Sequence, residues 1–221
     1  MAKIHIVGAG PGSPEYVTPI ARRIVQKAQL VVGSERAIEL FRGDIKGEAL
    51  TLTARNFKQT VKHAVECAEK GISVAFISTG DPGFAGLLGA VKKFLGENVD
   101  LEITPGISAV QVCAARLRIS WDEAVLISFH EGADEHRKKR LLEAVKSGKT
   151  AIILPDPRGF MPKDIASYLI SQGVKGETQV FICENLTLED EKVSRGTLQN
   201  MPPQDPGNLC VMVIIPVERK E

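Results

Sequence analysis

The stretch Ile4-His5-Ile6-Val7-Gly8-Ala9-Gly10-Pro11-Gly12-Ser13 sets a short, β-rich apolar run directly against a glycine and proline turn. Four apolar or aromatic-like residues closed by such a turn read as a buried strand rather than as the first turn of a helix. The same pattern recurs outward from it at Leu30-Val31-Val32 and at Ile72 to Ile77, with helical periodicity between the runs. Strands alternating with helices predict a parallel sheet covered on its faces, so the first half reads as doubly wound. One helix is well marked: Asn56 is the expected N-cap, Phe57, Val61, Ala64, Val65 and Ala68 share one apolar face, and Gly71 ends it.

After Ile103 the turn Thr104-Pro105-Gly106 precedes a helical pattern from about Ile107 to Arg116, and the pattern then lapses from Leu117 to Asp122. That lapse is the expected domain boundary, dividing residues 1–118 from 119–221. Beyond it, Ala124 to Phe129, Thr150 to Leu154, Gln179 to Cys183 and Leu209 to Val217 read as strands, and Glu135 to Lys146 and Lys163 to Ser171 as helices. The expectation is two α/β domains with mostly parallel sheets. A charged tail, Glu218 to Glu221, reads as frayed.

Composition narrows the function classes. At 221 residues and 43% hydrophobic, the chain has enough apolar surface for a real core. With 28 basic against 27 acidic side chains it has no global field that would favour nucleic acid or an anionic membrane, so an anionic ligand must be met locally. Cys67, Cys113, Cys183 and Cys210 lie far apart without a C-x-x-C pair, which fits neither a zinc site nor a disulfide scaffold, and no metal site is expected. The chain starts without a signal-peptide pattern, and no apolar stretch approaches the roughly 20 residues that span a bilayer. A cytoplasmic protein is the reading.

The glycine-rich start invites comparison with a dinucleotide-binding loop, in which glycines let the backbone approach a pyrophosphate at a helix N-terminus. The spacing argues against it. Ser13 stands at the last glycine position, Pro11 removes a backbone donor, and the second strand ends Val32-Gly33 rather than on a ribose-binding acid. A turn that merely reverses the chain is compatible with the same residues.

Three segments taken together carry more. Val7-Gly-Ala-Gly-Pro-Gly-Ser-Pro14 with Thr18-Pro19, Ser78-Thr-Gly-Asp-Pro-Gly-Phe-Ala-Gly86, and Thr104-Pro-Gly-Ile-Ser-Ala-Val-Gln111 resemble, in order and spacing, the signature loops of the tetrapyrrole methylases, the class III S-adenosylmethionine-dependent methyltransferases. Ser128-Phe-His-Glu-Gly132 and Val180 to Leu198 resemble the branch that methylates carbon 5 of cobalt-precorrin-7 on the route to cobalamin. Both depart from the branch in detail, the first reading Ser-Phe-His-Glu-Gly where Ser-Leu-His-Gly is expected and the second Leu-Thr-Leu-Glu where Leu-Gly-Tyr-Pro is common.

The resemblance implies a cofactor, S-adenosylmethionine, held folded between two domains and leaving as S-adenosylhomocysteine. Its implied contacts are Gly10 and Pro11, the loop Gly80, Asp81, Pro82, Gly83 and Phe84, the turn Ser108-Ala109, and the strand ends Leu154-Pro155 and Leu209-Cys210. Asp81 can accept hydrogen bonds from the cofactor's amine or ribose, or simply cap the following helix. Strand-end packing accounts equally for Leu154, Pro155, Leu209 and Cys210. A corrin precursor carries carboxylates on its rim, for which Arg116 and Arg118 are candidates, while the run His136 to Arg140 reads as a solvated helix face. His130, at a strand end, suits the proton released from the ring, and Glu184 the orientation of the acceptor; both also fit structural roles. The resemblance further implies a homodimer and a separate partner that methylates carbon 15 and decarboxylates the ring. Two alternatives remain: a methylase of the same fold with another acceptor (another precorrin, uroporphyrinogen or a protein residue), and a non-catalytic module that binds a tetrapyrrole or S-adenosylmethionine.

Overall fold

A computed structural model describes residues 2–96, 99–203 and 209–216. The tail at Glu218–Glu221 and the end of the last expected strand, Val217, lie outside the described residues. The chain forms two compact units, Met1–Ala109 and Val110–Glu221.

The first unit contains strands β1 (Ala2–Gly8), β2 (Leu30–Gly33), β3 (Glu48–Thr51), β4 (Val74–Ser78) and β5 (Val99–Thr104), with helices α1 (Pro19–Lys27), α2 (Glu35–Leu40), α3 (Phe57–Glu69) and α4 (Leu88–Lys92). The strands pair in the order β3-β2-β4-β1-β5, every pairing parallel, with β1 in register from Ile4 opposite Val74 to Gly8 opposite Ser78. Because side chains alternate across a strand, each strand feeds both faces. Ile4, Ile6, Val32 and Phe76 pack under α3 and α4 through Val61, Ala64, Val65 and Val91. Val7, Val31, Ala75 and Ile77 pack under α1 and α2 through Ala21, Val25, Ala37 and the fully buried Phe41. Truncating a buried phenylalanine such as Phe76 to Ala costs about 3–5 kcal/mol. This double winding sends the loop after β1 to one face and the loop after β4, its neighbour, to the other, which opens a crevice at the carboxyl ends.

Local sequence explains most boundaries. Thr18 caps α1, its Oγ1 accepting from the Ala21 N–H at 3.2 Å, with Pro19 at the first helical position. Asn56 stands at the start of α3 but does not cap it. Its side chain turns back to accept from the Thr53 N–H at 2.7 Å and donate to the Thr51 carbonyl at 2.9 Å, fixing the loop instead. Gly71, at φ 87°, closes that helix as its sequence suggested.

The second unit opens with α5 (Ala109–Leu117) and continues through β6 (Val125–Ser128), α6 (Glu135–Lys146), β7 (Ala151–Leu154), α7 (Pro162–Ser171), β8 (Gln179–Glu184), β9 (Lys192–Thr197) and β10 (Cys210–Ile215). The lapse of pattern after Leu117 is the turn that ends α5. The sheet order is β6-β7-β10-β8-β9. Only the β6–β7 pairing in this sheet is parallel among the described residues, although parallel pairings predominate over the two sheets together. Its core is built from Phe129, Leu141, Ile153, Ile165, Leu169, Ile182 and Met212, with the Phe129 and Phe160 rings edge to face at 4.9 Å. The basic run on α6 is only partly solvated: Lys138 lies 5.5 Å from the Phe160 ring centroid, and Arg137 donates to Asp134 at 2.9 Å.

Candidate active site

The three loops singled out in the first unit leave the carboxyl ends of β1, β4 and β5, and the backbone knits them together. The Ala9 N–H donates to the Ser78 carbonyl at 2.8 Å. The Gly80 N–H donates to the Gly10 carbonyl at 2.8 Å, while the Gly10 N–H donates back to the Gly80 carbonyl at 3.4 Å. The third loop closes on these two without room for a side chain. A Cβ on Gly106 would fall 2.3 Å from the Gly80 carbonyl oxygen, and one on Gly8 would fall 2.3 Å from the Gly106 nitrogen. Glycine is therefore demanded at Gly8 and Gly106 by close approach, a requirement the sequence reading did not attach to them.

Asp81 is the clasp of this arrangement. Its Oδ1 accepts from the Gly83 N–H at 2.8 Å and its Oδ2 from the Gly106 N–H at 3.1 Å, so one carboxylate ties the β4 loop to itself and to the β5 loop. Gly80 takes φ 67°, and the space a Cβ would fill beside it is open as far as the Ser108 Cα at 3.9 Å. Gly10, Pro11 and Pro82 are buried within the loops, whereas Gly83 is exposed and Phe84 half-buried. A small cavity of about 210 Å³ opens beside the same loop, lined by Ser34, Ser78, Thr79, Ala85 and Leu87. Ser78 Oγ holds its wall by accepting from the Leu87 N–H at 3.1 Å. Ser108 is buried directly ahead of Ala109 and α5.

In the second unit the strand register gathers residues that lie far apart in sequence. Cys210 stands opposite Glu184, and Met212 opposite Ile153, so the start of β10 lies between the ends of β7 and β8. Leu154, Pro155, Glu184, Leu209 and Cys210 therefore share one end of the sheet. Asn185, absent from the sequence reading, fixes that end. It takes φ 48°, accepts from the Leu209 N–H at 3.1 Å through Oδ1 and donates its own N–H to the Leu209 carbonyl at 2.9 Å. Asparagine tolerates a left-handed backbone, which was the available signal. Glu184 is buried, and burial first and the Glu184 charge second push the Cys210 thiol up to about 12. Cys113 and Cys183 are buried with their sulfurs 3.3 Å apart, and the thiol contact together with burial pushes the Cys113 thiol far above the ordinary range.

His130 follows β6, its backbone N–H held by Ser128 Oγ at 3.2 Å and its carbonyl by Arg158 at 3.2 Å. Although part of its surface reaches solvent, crowding by the surrounding chain lowers its pKa below the ordinary histidine value. Asp156 pulls it back up and Arg158 pushes it further down. Its imidazole is therefore harder to protonate than that of an ordinary histidine. Arg116 is already engaged, donating from Nε to Glu191 Oε1 at 2.6 Å and from Nη2 to Oε2 at 3.2 Å. Arg118 is exposed at φ 55°, just past the end of α5.

Comparison with known proteins identifies the family. The family model of tetrapyrrole (corrin/porphyrin) methylases matches residues 3–202. A probable cobalt-precorrin-7 C(5)-methyltransferase of Methanocaldococcus jannaschii is 41% identical over 211 residues, spanning 95% of this chain and 96% of its own length. The crystal structure of a cobalamin-biosynthesis precorrin-6Y methylase from Archaeoglobus fulgidus superimposes with a TM-score of 0.74 at 28% identity, covering 99% of this chain and 100% of that one. A uroporphyrin-III C-methyltransferase of Thermus thermophilus, solved in complex with S-adenosylhomocysteine, shares the fold with a TM-score of 0.75 at 19% identity over 96% of each chain. The chain belongs to the tetrapyrrole (corrin/porphyrin) methylases.

Proposed function

We propose that this protein transfers a methyl group from S-adenosylmethionine to carbon 5 of cobalt-precorrin-7, a step of cobalamin biosynthesis. The observation that carries the reading is the clasped triple loop of Gly10, Gly80, Asp81 and Gly106 at the carboxyl ends of a parallel sheet, in a chain 41% identical over nearly its whole length to a probable methyltransferase of that specificity.

S-adenosylmethionine supplies a methyl group activated on a sulfonium. The chain's own contribution is positioning and exclusion of water, because such a displacement gains most from holding donor and carbon nucleophile in line and near contact. Backbone groups from Gly80 to Phe84 and at Ser108-Ala109 hold the donor. Asp81 orients that backbone and, with its remaining lone pairs, attracts the positive sulfonium or the amine. His130 accepts the proton that the ring gives up after methylation, a role suited to an imidazole whose surroundings disfavour its charged form and so leave the base free. The acceptor is a small corrin molecule. The protein acts as a homodimer, alongside a separate enzyme for carbon 15.

Calorimetric titration of S-adenosylhomocysteine into the wild-type chain and Asp81→Ala tests the cofactor half of this reading. Saturable one-to-one binding, weaker in the variant by about 1–3 kcal/mol, is expected. A folded wild-type protein without affinity for the ligand contradicts it.

A further inference from the structure

An open groove of about 860 Å³ runs over the loop after β1 and along α2, lined by Gly12, Pro14, Ser34, Glu35, Arg36, Glu39 and Leu40. Its volume falls at the upper end of the range for small-molecule sites. Its apolar lining residues, Pro14 and Leu40, suit the face of a conjugated ring. The cations nearby differ in how they are used. Arg22 is held by Asp44 at 2.5 Å, and Arg42 is paired with Glu39. Arg36 is exposed at the groove and has no hydrogen bond or ion pair among the described residues. Since Arg42 neutralises Glu39, the groove keeps Arg36 as its cation and Glu35 as its anion.

We propose that Arg36 is an acceptor-positioning residue, its guanidinium fork pairing with one peripheral carboxylate of the tetrapyrrole laid against Pro14 and Leu40. The guanidinium matches a carboxylate in two parallel hydrogen bonds, which fixes orientation as well as adding affinity. Glu35, one residue away, repels a second carboxylate and so restricts the subsite to a single rim group. This assignment rests on the methylase reading above, and it differs from the expectation from sequence, which placed the rim contacts at Arg116 and Arg118.

The test uses the full chain as wild type, Arg36→Gln and Arg36→Lys. Cobyrinic acid, a stable corrin with free carboxylates, is titrated by absorbance, beside the same corrin with its carboxylates converted to amides, and S-adenosylhomocysteine is titrated by calorimetry. Wild type is expected to prefer the carboxylate form. Arg36→Gln should weaken that form roughly tenfold or more and erase the preference, leaving S-adenosylhomocysteine binding unchanged. Arg36→Lys should restore part of the affinity, keeping the charge but not the fork. Unaltered carboxylate binding in Arg36→Gln overturns the assignment while leaving the methylase reading intact. A wild type that binds S-adenosylhomocysteine but neither corrin overturns both this assignment and the corrin acceptor, and one that binds none of the three removes the methylase reading itself.

Discussion

Asp81 and Gly106 are joined across two loops by a 3.1 Å hydrogen bond from the Gly106 backbone N–H to Asp81 Oδ2, while the other oxygen of the same carboxylate holds Gly83. One side chain therefore sets the spacing of the loop after β4 and the loop after β5. Asp81→Ala removes acceptors from two backbone donors and is expected to lower stability by about 1–3 kcal/mol. Asp81→Asn retains one carbonyl acceptor and should fall between the two. Denaturant unfolding of the three proteins measures this, and equal midpoints for wild type and Asp81→Ala would show that the clasp carries no energy.

Gly106 has a second constraint, the carbonyl of Gly80 occupying the place of any Cβ. Gly106→Ala must push the loops apart, which overpacking of this kind makes costly by about 1–3 kcal/mol, and it should also weaken S-adenosylhomocysteine binding. Gly89→Ala, on a helix with open space around the new methyl, is the control expected to leave binding unchanged.

The Arg116 guanidinium hydrogen-bonded to Glu191 holds that carboxyl below the ordinary carboxylate value. A depressed folded-state pKa gives stability that is present above the unfolded value and lost as pH falls through the folded one. The pair is partly exposed, so its contribution is about 0.2–1 kcal/mol. Glu191→Gln should therefore be slightly less stable than wild type at pH 7, and the gap should close below about pH 4. A gap that persists at acid pH contradicts the ionic origin of the contact.

Crowding by the surrounding chain depresses His130, so folding disfavours its protonated form. The sign is the same: the penalty is absent above about pH 6.5 and sets in as pH falls below that value. If the imidazole takes the ring proton, the acid limb of kcat lies below pH 6.5, and His130→Gln lowers kcat by roughly 10²–10⁴-fold with S-adenosylhomocysteine binding retained. A titration of the His130 ring by NMR that places its midpoint above 6.5 removes the basis for this.

Thiol chemistry offers an independent check on the second unit. Cys113 and Cys183 are buried and Cys210 is pushed up to about 12, so at pH 8 these three should resist alkylation while half-buried Cys67 reacts. Peptide mapping after brief treatment with iodoacetamide reads the result directly, and early labelling of Cys210 would contradict its placement beside Glu184.

The sequence was legible where periodicity and burial coincide. Strand β4 is buried along its whole length, and α3 places Val61, Ala64, Val65 and Ala68 on one face, so both stand out as runs. Strands β3 and β9 are sheet edges whose side chains are largely exposed or half-buried, and Glu-Ala-Leu-Thr and Lys-Val-Ser-Arg-Gly-Thr carry little apolar alternation to read. Of the site, the loops were visible through their glycines and prolines. The partner of each loop was not, because the Asp81 to Gly106 bond and the Asn185 clasp on Leu209 join residues 25 and 24 positions apart and depend on tertiary closure. The engagement of Arg116 by Glu191, 75 positions away, was hidden for the same reason.

The most direct test of the central claim is to incubate the purified protein with cobalt-precorrin-7 and S-adenosylmethionine carrying an isotopically labelled methyl group, then locate the label by NMR. One labelled methyl per ring, attached at carbon 5, is expected, with S-adenosylhomocysteine released in equal amount. Label at another carbon would correct the acceptor position, and no transfer by a protein that binds both molecules would contradict the assignment as a methyltransferase of this substrate.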